Sequence, residues 1–309
     1  MTAPAGRVLA SLAVLVAALL VFHAQVPNAV GNLGSLLEVF LPWLGLAVPV
    51  LLALALLRRS AVALLALLLP TAAWVNLFGG LLLPENRGPR DITAVQHNVS
   101  DENADPAGTA RTLAEARPDL IALEELTPAA LPAYEKSLAP AYPHHVVEGS
   151  VGLWSKHPLT DSRPVDIRPK GIGADTEWNR GLRSTVRTAG HGEIAVYVAH
   201  LPSVRVGLSG FGSDWRDESA GLLGAAVAAE PLDRVLLLGD LNSTVDDRGL
   251  SPVASQMTTA GQGFAFSWPA SFPVARIDHV MTRAATVTSL WSLPRTGSDH
   301  LPVAARVRL

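Results

Sequence analysis

The stretch Gly297-Ser298-Asp299-His300-Leu301-Pro302-Val303 decides how this chain is read, because it sets an acid and a histidine at the mouth of a last apolar run. Three comparable strand ends precede it: Leu123-Glu124-Glu125, Gly239-Asp240-Leu241-Asn242 and Arg276-Ile277-Asp278-His279. Around them, apolar runs of strand length recur at 92–99, 120–126, 152–155, 194–201, 235–238, 277–281, 287–293 and 303–307. Segments 107–116, 128–138 and 215–229 instead space apolar residues three or four apart, the period of a helix. Strands in pairs with few helices between them argue against a strictly alternating, doubly wound sheet. The pattern predicts an α/β sandwich of two packed β-sheets flanked by helices.

The N-terminal part is of another kind. The 309 residues are 49% hydrophobic and 17% charged, and the apolar excess is concentrated in three runs, 8–26, 36–57 and 61–83, with Glu38 the one formal charge inside them. Each is long enough to cross a hydrocarbon core of roughly 30 Å as a helix, so three transmembrane helices are expected. A cleaved signal peptide is the rival for the first run, since Arg7 precedes it and Phe22-His23-Ala24-Gln25 follows its core. The two full-length runs that come next favour the anchor.

Basic residues in short loops stay on the cytoplasmic side, which places Arg7 and the Arg58-Arg59-Ser60 connection inside and the uncharged 27–35 loop outside. Three spans that start inside finish outside. The expected organisation is therefore a membrane anchor over 1–89, a Pro/Gly-bearing tether at 83–90, and an extracytoplasmic domain over 90–309, in a cell membrane protein of several passes. The absence of cysteine is compatible with that compartment. Arg7, Arg58, Arg59 and Arg87 precede the domain, leaving 20 of the 24 basic residues in it. Only Glu38 and Glu85 precede it among the 27 acids, leaving 25, so the domain is net −5. That charge is no footprint for gripping a nucleic-acid backbone.

Taken in order, Gln96-His97-Asn98-Val99, Pro118-Asp119-Leu120-Ile121-Ala122-Leu123-Glu124-Glu125, Gly152-Leu153-Trp154-Ser155, Ala199-His200-Leu201, Gly239-Asp240-Leu241-Asn242, Arg276-Ile277-Asp278-His279 and Ser298-Asp299-His300 resemble the successive motifs of the endonuclease/exonuclease/phosphatase superfamily. The likeness covers almost all of 92–303. It implies a DNase I-like fold and a hydrolase of phosphoester bonds. Chemistry explains the residue types: an anionic phosphoester needs a cation against developing charge, a base for the attacking water, and fixed donors around the phosphoryl oxygens. Mg²⁺, or Mn²⁺ in its place, takes oxygen ligands.

By that resemblance, Asn98, Glu125 and Asp299 form the metal site. Glu124 stands where the family commonly has glutamine, which leaves open which of the two glutamates is the ligand. Asp240 and Asn242 position the nucleophilic water, His300 contacts the scissile phosphate, Asp278 orients His300, and His200 contacts the phosphate or leaving group. Each motif alone has a plainer reading. Gly-Asp-x-Asn is commonly a turn, Glu124-Glu125 before Pro128 opens a helix, and His200 is an ordinary half-buried strand residue. Asp299-His300 resists such a reading, because burying an acid is costly unless it is paired. Arg180 and Arg183 are either phosphate ligands or members of surface ion pairs.

Apolar spans ahead of such a domain resemble the membrane-anchored branch of the superfamily that includes the VanJ-type teicoplanin-resistance proteins. This likeness implies a lipid phosphate or pyrophosphate of the cell envelope as substrate. The alternatives are an extracytoplasmic nuclease or phosphodiesterase acting on soluble substrates, and a non-catalytic membrane-bound binding protein that keeps the fold.

Overall fold

Alternating strands with one face turned inward need a second apolar layer to cover them, and the chain supplies it with another sheet. The computed structural model describes residues 3–83, 90–173 and 175–309, in two units: residues 3–83 with 206–211, and residues 90–205 with 212–309.

The first unit holds α1 (Ala3–Val21), α2 (Leu33–Val39), α3 (Ala47–Leu57), α4 (Ala61–Ala66) and α5 (Leu68–Phe78). Small side chains let its helices approach closely: Ala13, Ala55 and Ala63 pack with Leu51 and Leu67. Of the three expected transmembrane helices, the described residues hold one that is long and apolar enough to cross a membrane, or two if a bent pair is one span. Ala61–Leu82 forms one helix of 22 residues, long and apolar enough to cross a membrane. The 36–57 run is instead a bent pair, Leu33–Val39 and Leu41–Leu57, meeting at 70°. Pro42 lies in the 3₁₀ turn at the bend and has no N–H to continue an α-helical ladder. The first run lies in α1 (Ala3–Val21), which is apolar over Ala5–Val21 among the described residues, and ends in the 3₁₀ turn His23–Gln25. Glu38, the charge inside the second run, is buried against His23 Nδ1 at 3.0 Å. Residues 84–89 of the expected tether lie outside the described residues.

The second unit runs β1 (Ile92–Asn98), α6 (Pro106–Glu115), β2 (Leu120–Glu124), α7 (Leu131–Leu138), β3 (His144–Glu148), β4 (Val151–Ser155), β5 (Leu159–Pro164), β6 (Gly181–Thr188) and β7 (Gly192–His200). The hairpin β8 (Val206–Gly207) and β9 (Gly210–Phe211) follows, and it belongs to the first unit. Phe211 N donates to Gly31 O at 2.9 Å and Asn32 Nδ2 to Phe211 O at 2.9 Å, and a Cβ on Gly210 would meet the Gly31 backbone. The chain continues through α8 (Asp214–Ala228), β10 (Val235–Asp240), α9 (Ser251–Ala254), β11 (Asp278–Arg283), β12 (Thr286–Ser292) and β13 (Val303–Arg308).

A six-stranded sheet in the order β12-β13-β1-β2-β4-β3 faces a five-stranded sheet in the order β11-β10-β7-β6-β5. Between them lies an apolar core that includes Ile92, Ala94, Leu120, Ala122, Val196, Val198, Leu236 and Leu238. The outer face of the first sheet packs Val95, Ile121 and Leu123 against Leu113 of α6 and Tyr134 of α7. The outer face of the second packs Ala195, Tyr197 and Leu237 against Leu223 of α8 and Val253 of α9. The fold is therefore the α/β sandwich with helices outside.

One glycine fixes the approach of β10 to β7. Residues Gly239 and Ala199 face each other in the parallel pair, and a Cβ on Gly239 would stand 2.0 Å from Ala199 O. Gly239→Ala is expected to destabilise the folded domain by about 1–3 kcal/mol, as overpacking does. Thermal unfolding of the full-length protein in detergent tests it, and an unchanged midpoint would show that the strands part without cost.

Candidate active site

Period-2 alternation carries the core-facing row of each strand to one end of the sandwich, where it ends in polar residues. On β1 the row Ile92, Ala94 ends in Gln96 and Asn98; on β2, Leu120 and Ala122 end in Glu124; on β7, Ile194, Val196 and Val198 end in His200; on β10, Leu236 and Leu238 end in Asp240. Strand pairing sets these ends side by side, Asn98 opposite Glu124, Asp240 opposite His200, and Asp240 opposite Asp278 at the start of β11. His300 enters from the loop before β13, which Ser298 pins to β1. Ser298 Oγ donates to Asn98 O at 2.7 Å and accepts from His300 N at 3.0 Å.

Two site residues adopt the left-handed backbone that non-glycine residues seldom take, Glu125 with φ 59° and Asn242 with φ 46°. Continued alternation would send Glu125 to the helix side. Its left-handed turn brings the carboxylate back instead, with Oε1 3.6 Å from His200 Nε2 and Oε2 accepting from Asp101 N at 3.3 Å. Asn242 turns so that its own N–H donates to Asp240 Oδ1 at 2.9 Å and its Nδ2 to Leu201 O at 2.9 Å. Arg216 of α8, buried and ion-paired to Asp247 at 2.7 Å, donates to Asn242 O at 3.0 Å and holds this turn.

Two buried systems meet here. In the first, Asp240 Oδ2 accepts from Asn98 Nδ2 at 3.0 Å and from Asn242 Nδ2 at 3.2 Å. Burial, with the neighbouring Asp278 charge, pushes the Asp240 carboxyl up to about 7 despite the opposing pull of His300. In the second, His300 Nδ1 donates to Asp278 Oδ2 at 2.8 Å, and Asp278 Oδ1 accepts from Gln96 Nε2 at 2.9 Å. Burial opposes charge on His300, but Asp278 and Asp240 overcome it and raise His300 to about 10. Burial also opposes charge on Asp278, yet His300 and the hydrogen bonds it receives hold that carboxyl below its usual range. His300 Nε2 lies 3.8 Å from Asp240 Oδ2, and one ligand atom each from Asp240, Asp278 and His300 falls within 4.8 Å of the others.

His200 is neutral. Burial, reinforced by Arg180, lowers it to about 3. Its Nδ1 accepts from Arg180 Nη1 at 3.5 Å, leaving Nε2–H to face Glu125 at 3.6 Å and Asp240 at 3.7 Å, so neither approach is an ion pair.

The glutamate doublet separates by face. Glu124 is fully buried, and its carboxyl is raised well above the usual range, first by burial and then by Asp278 and Asp240. Its Oε2 accepts from Gln96 Nε2 at 2.9 Å. The amide oxygen of a glutamine of the same shape would offer Gln96 the same acceptor. Glu125 is 31% exposed and opens to the site. Asp299 is exposed in the loop beside His300, whose charge it favours, and lies outside the cluster of Asp240, Asp278 and His300.

The two arginines left open by sequence also part. Arg180 reaches the site. Arg183 is buried elsewhere, paired with Glu230 at 2.9 Å and Asp161 at 2.6 Å. His97 and His279 serve the frame: His97 is hydrogen-bonded to Thr296 Oγ1 at 2.9 Å, and His279 Nε2 donates to Ser243 O at 2.7 Å. Sequence reasoning missed Gln96, which bridges Glu124 and Asp278, and Ser298. For Gln96 the signal was present, because it stands two residues before Asn98 and so shares its face.

The family model for the Endonuclease/Exonuclease/phosphatase family matches residues 74–300. The chain belongs to that family. Among solved structures it is similar to D. rerio TDP2 complexed with single strand DNA product, at 19% identity and TM-score 0.57 over 71% of this chain and 99% of that one. It is also similar to sphingomyelinase C from Streptomyces griseocarneus, at 18% identity and TM-score 0.52 over 71% of this chain and 99% of that one. An endonuclease/exonuclease/phosphatase from Beutenbergia cavernae matches at 19% identity and TM-score 0.56, covering 72% of each chain. At these identities the likeness speaks for the fold. No curated protein matches the sequence.

Proposed function

We propose that the protein is a membrane-anchored, divalent-metal-dependent phosphoester hydrolase whose site faces the extracytoplasmic side and acts on a lipid phosphate or pyrophosphate. The observation that carries the chemistry is the buried pair of systems at the strand ends, Asp240 held by Asn98 and Asn242 beside a charged His300 held by Asp278. The first presents a carboxylate to a water, and the second presents a fixed donor to a phosphoryl oxygen.

The donor set fits a hard divalent cation. Glu125, Asp240 and Asp278 gather acids around one charged histidine, and one ligand atom each from Asp240, Asp278 and His300 falls within 4.8 Å of the others. Asn98 and Glu125, with Asp299, would hold Mg²⁺ or Mn²⁺, which would supply charge neutralisation at the phosphoryl group. The remaining work falls to the chain itself. Asp240 takes the proton of the attacking water, Asn242 orients that carboxylate, His300 donates to the phosphoryl oxygen, and His200 offers Nε2–H toward the leaving side.

The lipid reading is supported by the apolar Ala61–Leu82 helix, by Arg58-Arg59 ahead of it, and by the net charge of −5 from residue 90 onward. A reporter active only outside the cytoplasm, fused after Leu309, should be active. Signal from a cytoplasm-only reporter there would overturn the orientation. Full-length protein in bilayers with Mg²⁺ should cleave a polyprenyl pyrophosphate and leave single- and double-stranded DNA intact. Cleavage of DNA with no action on the lipid would sink this substrate and establish the nuclease alternative.

A further inference from the structure

The hairpin Val206–Phe211 leaves the catalytic part of the sequence and packs with the N-terminal helices instead. Its seat is backbone against backbone: Phe211 N donates to Gly31 O at 2.9 Å, and a Cβ on Gly31 would stand 3.0 Å from Ser209 O. The side chains divide accordingly. Phe211 is buried, whereas Val206 is 70% exposed and Leu208 is wholly exposed at 112%. On the other partner, Val30 and Leu33 flank the seat at Gly31 and Asn32, and both are exposed, Val30 at 72%. No formal charge occurs in residues 24–37 or 206–213.

An exposed apolar side chain by itself is ordinary. Four of them on two uncharged segments that are bonded to each other make a patch, and such a patch marks an interaction surface. Two features choose its partner. The patch belongs to the same unit as Ala61–Leu82, the helix long and apolar enough to cross a membrane, and helices of that unit expose Leu12, Leu54 and Leu69 in the same way. The hairpin also meets the demand that lipid makes on a backbone, since Val206 pairs with Phe211, Gly207 with Gly210, and Gly31 serves the outer edge. The turn at Leu208-Ser209 carries backbone groups outside that pairing, which suits the wet headgroup layer and not the hydrocarbon.

We propose that this hairpin is a second, non-helical membrane contact, in which Val206 and Leu208, with Val30 and Leu33, enter the headgroup layer of the bilayer. The catalytic chain is thereby fastened to the membrane at 205–212 as well as after residue 83. The inference rests on the membrane-anchored reading above and adds an attachment that none of the apolar spans supplies. Removing these side chains from water is what holds the contact, and no charge takes part in it. Zwitterionic lipid is therefore sufficient.

The chain has no cysteine, so a single introduced one can be labelled alone. Leu208→Cys, Leu69→Cys in the Ala61–Leu82 helix, and Ala189→Cys at an exposed turn of the second unit each replace an exposed side chain and leave the packing intact. The full-length variants, carrying an environment-sensitive fluorophore, are reconstituted into phosphatidylcholine vesicles. Quenching is then read with a nitroxide lipid and, separately, with aqueous iodide. The label at 208 should emit further to the blue than the label at 189, be quenched by the nitroxide, and resist iodide several-fold better. Val206→Cys should behave as Leu208→Cys does. Nitroxide quenching at 69 with equal iodide access at 208 and 189 would overturn the hairpin contact and keep the anchor. Quenching at 208 but not at 69 would keep the contact and refute the spanning helix. Nitroxide quenching at neither 69 nor 208 would refute both. Protection of 208 from iodide with no nitroxide quenching would give the patch to a second protein chain and overturn the bilayer as its partner.

Discussion

Replacing His300 with Ala, or Asp278 with Asn, will lower turnover of a phosphodiester by roughly 10²-fold or more, the usual cost of removing a transition-state donor or the group that orients it. The two residues share one proton and one hydrogen bond at 2.8 Å, so they act as a unit. The double variant will therefore be scarcely worse than His300→Ala alone. Independent, multiplying losses would show that Asp278 does not serve His300. The pH profile separates the roles further. His300 stays charged up to about 10 because Asp278 and Asp240 outweigh its burial. In Asp278→Asn the larger of those two supports is gone and burial prevails, so the alkaline limb of the rate profile moves to lower pH. The same sign governs stability. The folded value lies above the ordinary 6.5, so the pair's contribution is complete below 6.5 and is lost as pH rises through about 10.

The second large effect concerns the doublet Glu124-Glu125. Turnover will vanish in chelator and return with Mg²⁺ or Mn²⁺, and Glu125→Gln will cost about 10²-fold in apparent metal affinity or rate, the scale of a lost ligand contact. Glu124→Gln will cost far less. Glu124 is buried, its carboxyl raised well above the usual range by burial and then by Asp278 and Asp240, and the oxygen of an amide of the same shape keeps the acceptor for Gln96 Nε2. The reverse ranking would put the ligand one residue earlier.

Much of this site was legible because chemistry and strand period coincide. Asn98, His200, Asp240 and Asp278 each sit at the end of an inward row, so apolar alternation alone places their side chains on the shared face. Glu125 was not placed that way. Its orientation depends on a left-handed φ of 59°, a property of the turn that no hydrophobic pattern encodes. β6 escaped notice because its outward row is Arg183, Thr185 and Arg187, and the sequence reads as polar; Arg183 is nonetheless buried, neutralised by Glu230 from a segment 47 residues away. β5 is an edge strand, largely exposed, ending in Pro164. The anchor was legible only in part. Run length predicts a span only if the helix is continuous, and Pro42 interrupts the second one.

The Val206–Phe211 hairpin bears on how this protein can be taken apart. Its backbone is bonded to Gly31 and Asn32, and at Gly210 there is no room for even a methyl group. The border between the two units is thus crossed by the chain at Arg205 and again at Gly212, as well as after residue 83. No single cut separates them. A fragment begun at residue 90 would keep the hairpin but lose its seat, freeing a loop whose two flanks, Arg205 and Gly212, line a cleft with Trp178, Arg180 and Trp215. A loss of activity in such a fragment would then reflect the missing seat of that loop and would say nothing about lipid. Fragments for crystallisation or screening are better made by replacing 206–211 with a short polar turn than by truncation alone.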